Sequence, residues 1–116
     1  MSVVETDSID AIGMEKEAKR VFLSIIDSLV WDQENVHLFT LQEKINTYLY
    51  FIESGELVKA LPDAAGFDVA IEVILRHMPT DEAITFFDKT TQILLDKGIV
   101  FVFGPNKETG YAEQQS

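Results

Sequence analysis

One stretch limits the possible folds more than any other: LFTLQEKINTYLYFIESGEL, residues 38–57. On a helical wheel at about 100° per residue, Leu38, Leu41, Ile45, Tyr48, Leu49 and Ile52 share one arc of about 100°, the stripe an amphipathic helix buries against a core. Gln42, Glu43, Lys44, Asn46, Thr47 and Glu53 lie outside that arc. Gly55 suits the position just past the helix, because glycine enters the left-handed conformation without a Cβ clash. Asp32, Glu34 and Asn35 crowd the start, where unpaired amides and the positive end of the helix dipole favour oxygen and negative charge.

Phe39 and Tyr50 project roughly opposite the stripe. With Glu43 and Asn46 they follow i, i+4, i+7, i+11 spacing and so form a second row. Either a loop covers this row or it is a partner surface. Phe86 and Ile93, seven apart on a later helix, form a comparable row.

Around the central helix the chain alternates in type. Residues 1–8 read as a flexible arm, with Val3 and Val4 near a sheet edge. Ile9 to Ile12 begins a strand that ends at Gly13, and Met14 to Ala18 makes a turn. KRVFLSIIDSL then reads as a strand, with Val21, Leu23 and Ile25 on one side and Phe22, Ser24 and Ile26 on the other. Trp31 is expected to cap the core, its indole N–H finding an acceptor near the surface. Pro62, Asp63 and Gly66 mark a loop. In FDVAIEVILRH, Val69, Ile71, Val73 and Leu75 alternate with Ala70, Glu72, Ile74 and Arg76. Thr80, Asp81 and Glu82 start a second helix that buries Ala83, Ile84, Phe87, Thr91, Leu94 and Leu95 and stops at Gly98. IVFVF, wholly apolar, reads as a strand covered on both faces, and residues 104–116 as a flexible tail.

The order is β-β-α-β-α-β: an α+β, two-layer sandwich with about four strands in a mixed sheet and both helices on one face. Residues 9–103 make a single domain, a common size. The uncovered face would show Phe22, Ser24, Ile26, Ala70, Glu72, Ile74 and Arg76, a set too apolar for water alone and too polar for a closed core. Apolar material is thus in surplus at both the sheet and the helices, which predicts a homo-oligomer, a dimer above all, or a protein partner.

The blocks SIDAIG (8–13), DSLVW (27–31), HLFTLQEKINTYLYFIESGEL (37–57) and VAIEV (69–73) resemble a family of small bacterial proteins of unknown function. Its pattern is a DAIG-type start, a D-x-L-x-W step, an L-L-Q-E-K-I-N helix and an F-I-E-S-G-E-L end. The resemblance implies an ordered fold and a bacterial source, and it carries over no catalytic residue. It directs attention to Asp27, Trp31, Gln42, Glu43, Asn46 and Glu53.

Net charge is −11. Such a surface repels phosphate backbones and anionic lipids, so neither nucleic acid nor a membrane is an expected partner. The start MSVVETDSID lacks the basic and apolar regions of a signal peptide, and a cytoplasmic address is expected. With no cysteine there is neither a disulfide nor a thiolate metal site. His37 and His77 read as surface or edge residues rather than metal ligands. There is no serine elbow and no phosphate-cradling glycine loop, so no catalytic residue and no cofactor is assigned. Two functional readings remain above an enzyme. One is an interaction module using Phe39, Glu43, Asn46, Tyr50, Phe86 and Ile93. The other is a small-ligand module on the open sheet face around Ser24, Glu72 and Arg76.

Overall fold

The computed structural model describes residues 2–32 and 34–112. Strands β1 (Ala11–Glu15) and β2 (Arg20–Asp27) pair antiparallel, and helix α1 (Val36–Glu53) follows. A short helix α2 (Glu56–Ala60) and a 3-10 turn (Pro62–Ala64) lead to β3 (Asp68–Leu75). Helix α3 (Asp81–Asp96) then returns the chain to β4 (Ile99–Pro105). Strand order is β1-β2-β3-β4, with β2, β3 and β4 mutually parallel. Both crossovers step the same way across the sheet, so right-handed connections lay α1 and α3 on one face. This is the α+β sandwich that the sequence pattern predicts.

The register fixes the faces. Val21, Leu23 and Ile25 of β2 pair with Val69, Ile71 and Val73 of β3, and Ile99, Phe101 and Phe103 of β4 continue the same side. Nearly all of these are buried under the helices. Phe22, Ser24 and Ile26 pair with Ala70, Glu72 and Ile74 on the opposite side, next to Val100, Val102 and Gly104. Val100 and Val102 are exposed, so β4 is covered on one face only. An unbroken apolar run cannot by itself tell a doubly covered strand from an edge strand.

Turn chemistry is read correctly at some positions and not at others. Gly55 (φ 86) and Gly98 (φ 78) end their helices in the left-handed region as expected. Gly13 instead lies inside β1, opposite Phe22, and the hairpin closes at residues 16–19 with Lys19 at φ 52. Thr80 caps α3, its hydroxyl accepting from the Ala83 amide at 3.1 Å. The buried face of α3 is Ala83, Phe87, Thr90 and Leu94, whereas Ile84 and Leu95 are exposed.

At the start of α1 the acceptor is Asp32, whose carboxylate takes the amides of Val36 and His37, each at 3.0 Å. Asn35 bridges the gap in the left-handed region, which asparagine tolerates. The His37 amide bond above all, helped by that of Val36, holds the Asp32 carboxyl below the usual carboxylate range. A depressed folded value gives stability that is complete above the unfolded value of about 3.9 and fades as pH falls through the folded one. The difference in stability between the wild type and Asp32→Asn is therefore expected to be constant near neutrality and to shrink in acid. Urea unfolding at a series of pH values checks this, and a difference that grows on acidification would contradict it.

The first residues join the fold. Val3 is buried and donates its amide to Ile26 O at 2.9 Å. Residues 104–112 continue β4 and turn back: Asn106 bridges Gly110, and the Ala112 amide donates to Arg76 O at 2.7 Å. Met1 and residues 113–116, parts of the expected arm and tail, lie outside the described residues.

Candidate functional site

Two buried polar clusters flank α1, and both depart from the sequence reading. Lys44, outside the apolar arc, is fully buried. Its ammonium donates to the carbonyls of Glu5 and Ser8 at 2.5 and 2.6 Å and stands 2.7 Å from Asp10 Oδ1. That oxygen makes no hydrogen bond, so Coulomb attraction to the ammonium compensates it. The other Asp10 oxygen accepts from the Ile26 amide. Tyr48 ties the cluster to the sheet, accepting from Asp10 N and donating to Ser24 O. Burial pushes the Tyr48 phenol up, and the hydroxyl keeps its proton for that bond. The first turns of chain are thereby fastened along the β1 side of α1. A wheel assigns Lys44 to the flank of the stripe but cannot show that residues 5–10 cover that flank.

The second cluster centres on His37, which is buried rather than at the surface. Its ring stacks on Trp31 with centroids 3.7 Å apart, and Trp31 meets Phe87 edge-on. The Trp31 indole donates to His77 O at 3.3 Å, the acceptor expected for a capping tryptophan. Nδ1 of His37 lies 3.1 Å from Val30 O, and Nε2 lies 2.5 Å from Asp27 Oδ2. The second Asp27 oxygen accepts from the Leu29 amide. A carbonyl only accepts, so Nδ1 carries a proton, and the Asp27 contact needs a second. The D-x-L-x-W step holds the two residues that enclose His37, and it was the available signal for this cluster.

The residues proposed from sequence divide into exposed and embedded. Phe39 and Tyr50 are 67% and 66% exposed, with Glu43 and Asn46 exposed between them. Val36, 59% exposed, falls on the same arc. No loop covers this row among the described residues. Ile93 is also exposed, but Phe86 is half-buried against Phe87. Two tethers orient the helices: Asn35 to Glu82 at 3.0 Å, and Glu53 to Lys97 at 3.7 Å. Glu82, Phe86, Ile93 and Lys97 share an arc of about 60° on α3, so that flank faces α1. Phe86 and Ile93 therefore lie on the α1-facing flank of α3.

On the open sheet face, Ser24 donates to Glu72 at 3.4 Å. Arg76 stands beyond the end of β3 and makes no ion pair among the described residues. Residues 105–112 arch over this end as a strap, leaving one cleft against Glu72 and Val102 and another beside Arg76. Among the described residues no group of three or more His, Asp and Glu is placed to hold a metal ion. No helix among them is long and apolar enough to cross a membrane. The family DUF6572, described as a family of unknown function, matches residues 1–107. No curated protein and no solved structure matches the chain.

Proposed function

We propose, for a chain that belongs to DUF6572, a family of unknown function, the role of a protein-interaction module that pairs with a second copy of itself along α1. One observation carries the reading: the exposed row Phe39, Glu43, Asn46, Tyr50 is palindromic in its spacing, with steps of four, three and four. In an isologous contact residue i meets j and j meets i. A two-fold axis crossing an antiparallel pair of α1 helices between Lys44 and Ile45 places Phe39 against the partner subunit's Tyr50. The same axis places Glu43 against the partner subunit's Asn46. Aromatic pairs then flank two carboxylate–amide hydrogen bonds, and no glutamate directly opposes its own copy.

The contact is small. Eighteen residues of α1 make a strip about 27 Å long and about 10 Å wide, roughly 270 Å² and well under the ~800 Å² per partner of a standard interface. Association in the tens of micromolar is expected, about −6 kcal/mol. Sedimentation equilibrium from about 1 to 300 µM, a range bracketing that affinity, is expected to resolve a monomer–dimer equilibrium. Phe39→Glu, exposed and therefore harmless to the fold, should leave a monomer throughout. A wild-type protein that is monomeric at the highest concentration overturns the reading, as does a dimer indifferent to Phe39→Glu. The clefts under the strap favour a second property, a small-ligand site.

A further inference from the structure

We infer that the cleft between the strap and the carboxyl ends of β2 and β3 is a binding site for a small organic monocarboxylate, held through Arg76. It has a volume of about 390 Å³, within the range of small-molecule sites. One wall comes from the residues that follow the paired strand ends, Ser28 after Asp27 and Arg76 after Leu75. Tyr111 and Asn106 of the strap form the other, and Ile26 and Ile74 line an apolar part.

The backbone of this site is fixed from both sides. The Arg76 amide donates to Asp27 O at 2.8 Å, and Arg76 O accepts from Ala112 N at 2.7 Å. The strap is closed by the Asn106–Gly110 bridge and by Asn106 Oδ1, which accepts from the Glu108 amide at 2.8 Å. Gly110 takes φ 69, which its lack of a Cβ permits. Arg76 is thus held by its main chain while its guanidinium stays available.

Among the described residues the free polar groups of the cleft are mostly donors. Asp27, the acid in the wall, has both oxygens occupied by His37 and the Leu29 amide. Asn106 has committed its oxygen and keeps its NH₂. What remains is the Arg76 guanidinium, the hydroxyls of Ser28 and Tyr111, and that amide, a set made mostly of donors. A guanidinium fork matches a carboxylate in bidentate geometry. A single positive charge in a chain of net charge −11 balances a monoanion and leaves a phosphate dianion uncompensated. The isoleucines call for an apolar body on the ligand.

The test uses the full chain, ¹⁵N-labelled, titrated with 3-phenylpropionate, its neutral amide, and phenyl phosphate. 3-Phenylpropionate is expected to shift the Arg76 side-chain Nε–H and the Ser28 and Ala112 amides with a Kd of about 1 mM or tighter. Under the same conditions the neutral amide should shift none of them. Arg76→Gln, which breaks no ion pair among the described residues, should weaken binding at least 10-fold while its spectrum elsewhere stays that of the wild type. No response to the carboxylate, an equal response to the amide, or shifts unchanged by Arg76→Gln would each overturn the site. Phenyl phosphate binding as tightly as the carboxylate would overturn the ligand class. The site does not involve α1, so a failure of dimerisation and a failure of this site are read separately.

Discussion

Replacing Lys44 by methionine is expected to lower stability by about 3–5 kcal/mol, the cost of breaking a buried pair by removing one partner. Methionine fills much of the space, so the loss is electrostatic rather than a cavity. The Asp10 carboxylate, which faces only the ammonium through Oδ1, is left buried without a counter-charge. The Ser8 carbonyl loses its donor as well, whereas the Glu5 carbonyl keeps the Ser8 amide and hydroxyl. At roughly 4 °C per kcal/mol for a domain of this size, the melting temperature should fall by about 12–20 °C. Asp10→Asn in the Lys44→Met background keeps an acceptor for the Ile26 amide and removes the stranded charge. The double variant should therefore be more stable than Lys44→Met alone. Hydrogen exchange adds a local check, because the Val3 amide bonded to Ile26 O should lose protection in Lys44→Met before the core strands do. Costs of the two substitutions that simply add would show the pair to be uncoupled.

How much of this could be read from the residues depends on how local the cause was. Strand alternation in 69–75, the glycine at 55 and the Thr80 cap have causes within a few residues, and each is found where expected. The order of elements, with the rule for crossovers, places both helices on one face only if both steps run the same way across the sheet, and it is the strand order of the structure that supplies that condition. Lys44 and His37 have causes elsewhere in the chain. Lys44 is buried because residues 3–10 return across α1, and His37 because Asp27 ends β2 beneath it. On a wheel both are polar residues at the margin of an apolar stripe, where long side chains usually reach water. The exposed row on α1 was legible as a row, and its symmetry gains meaning only once no described loop is found over it.

Asp27 gives the second large effect, and the size depends on what replaces it. Asp27→Ala removes the partner of His37 Nε2 and the acceptor of the Leu29 amide, and opens space beneath the Trp31–His37 stack. Two buried polar groups left unpaired are expected to cost about 3 kcal/mol or more. Asp27→Asn differs in outcome. Its carbonyl oxygen can still accept from Leu29, and its NH₂ can donate to Nε2 of a neutral imidazole. Nδ1 meanwhile continues to donate to Val30 O. Every hydrogen bond of the cluster then survives without a charge, and the cost should stay below about 1 kcal/mol. Urea unfolding of the two variants decides it, followed by the fluorescence of Trp31, the chain's one tryptophan and a direct contact of His37. If asparagine costs as much as alanine, the cluster needs a true carboxylate–imidazolium pair. If asparagine is tolerated, the hydrogen bonds rather than the charges are what hold α1 to the end of β2.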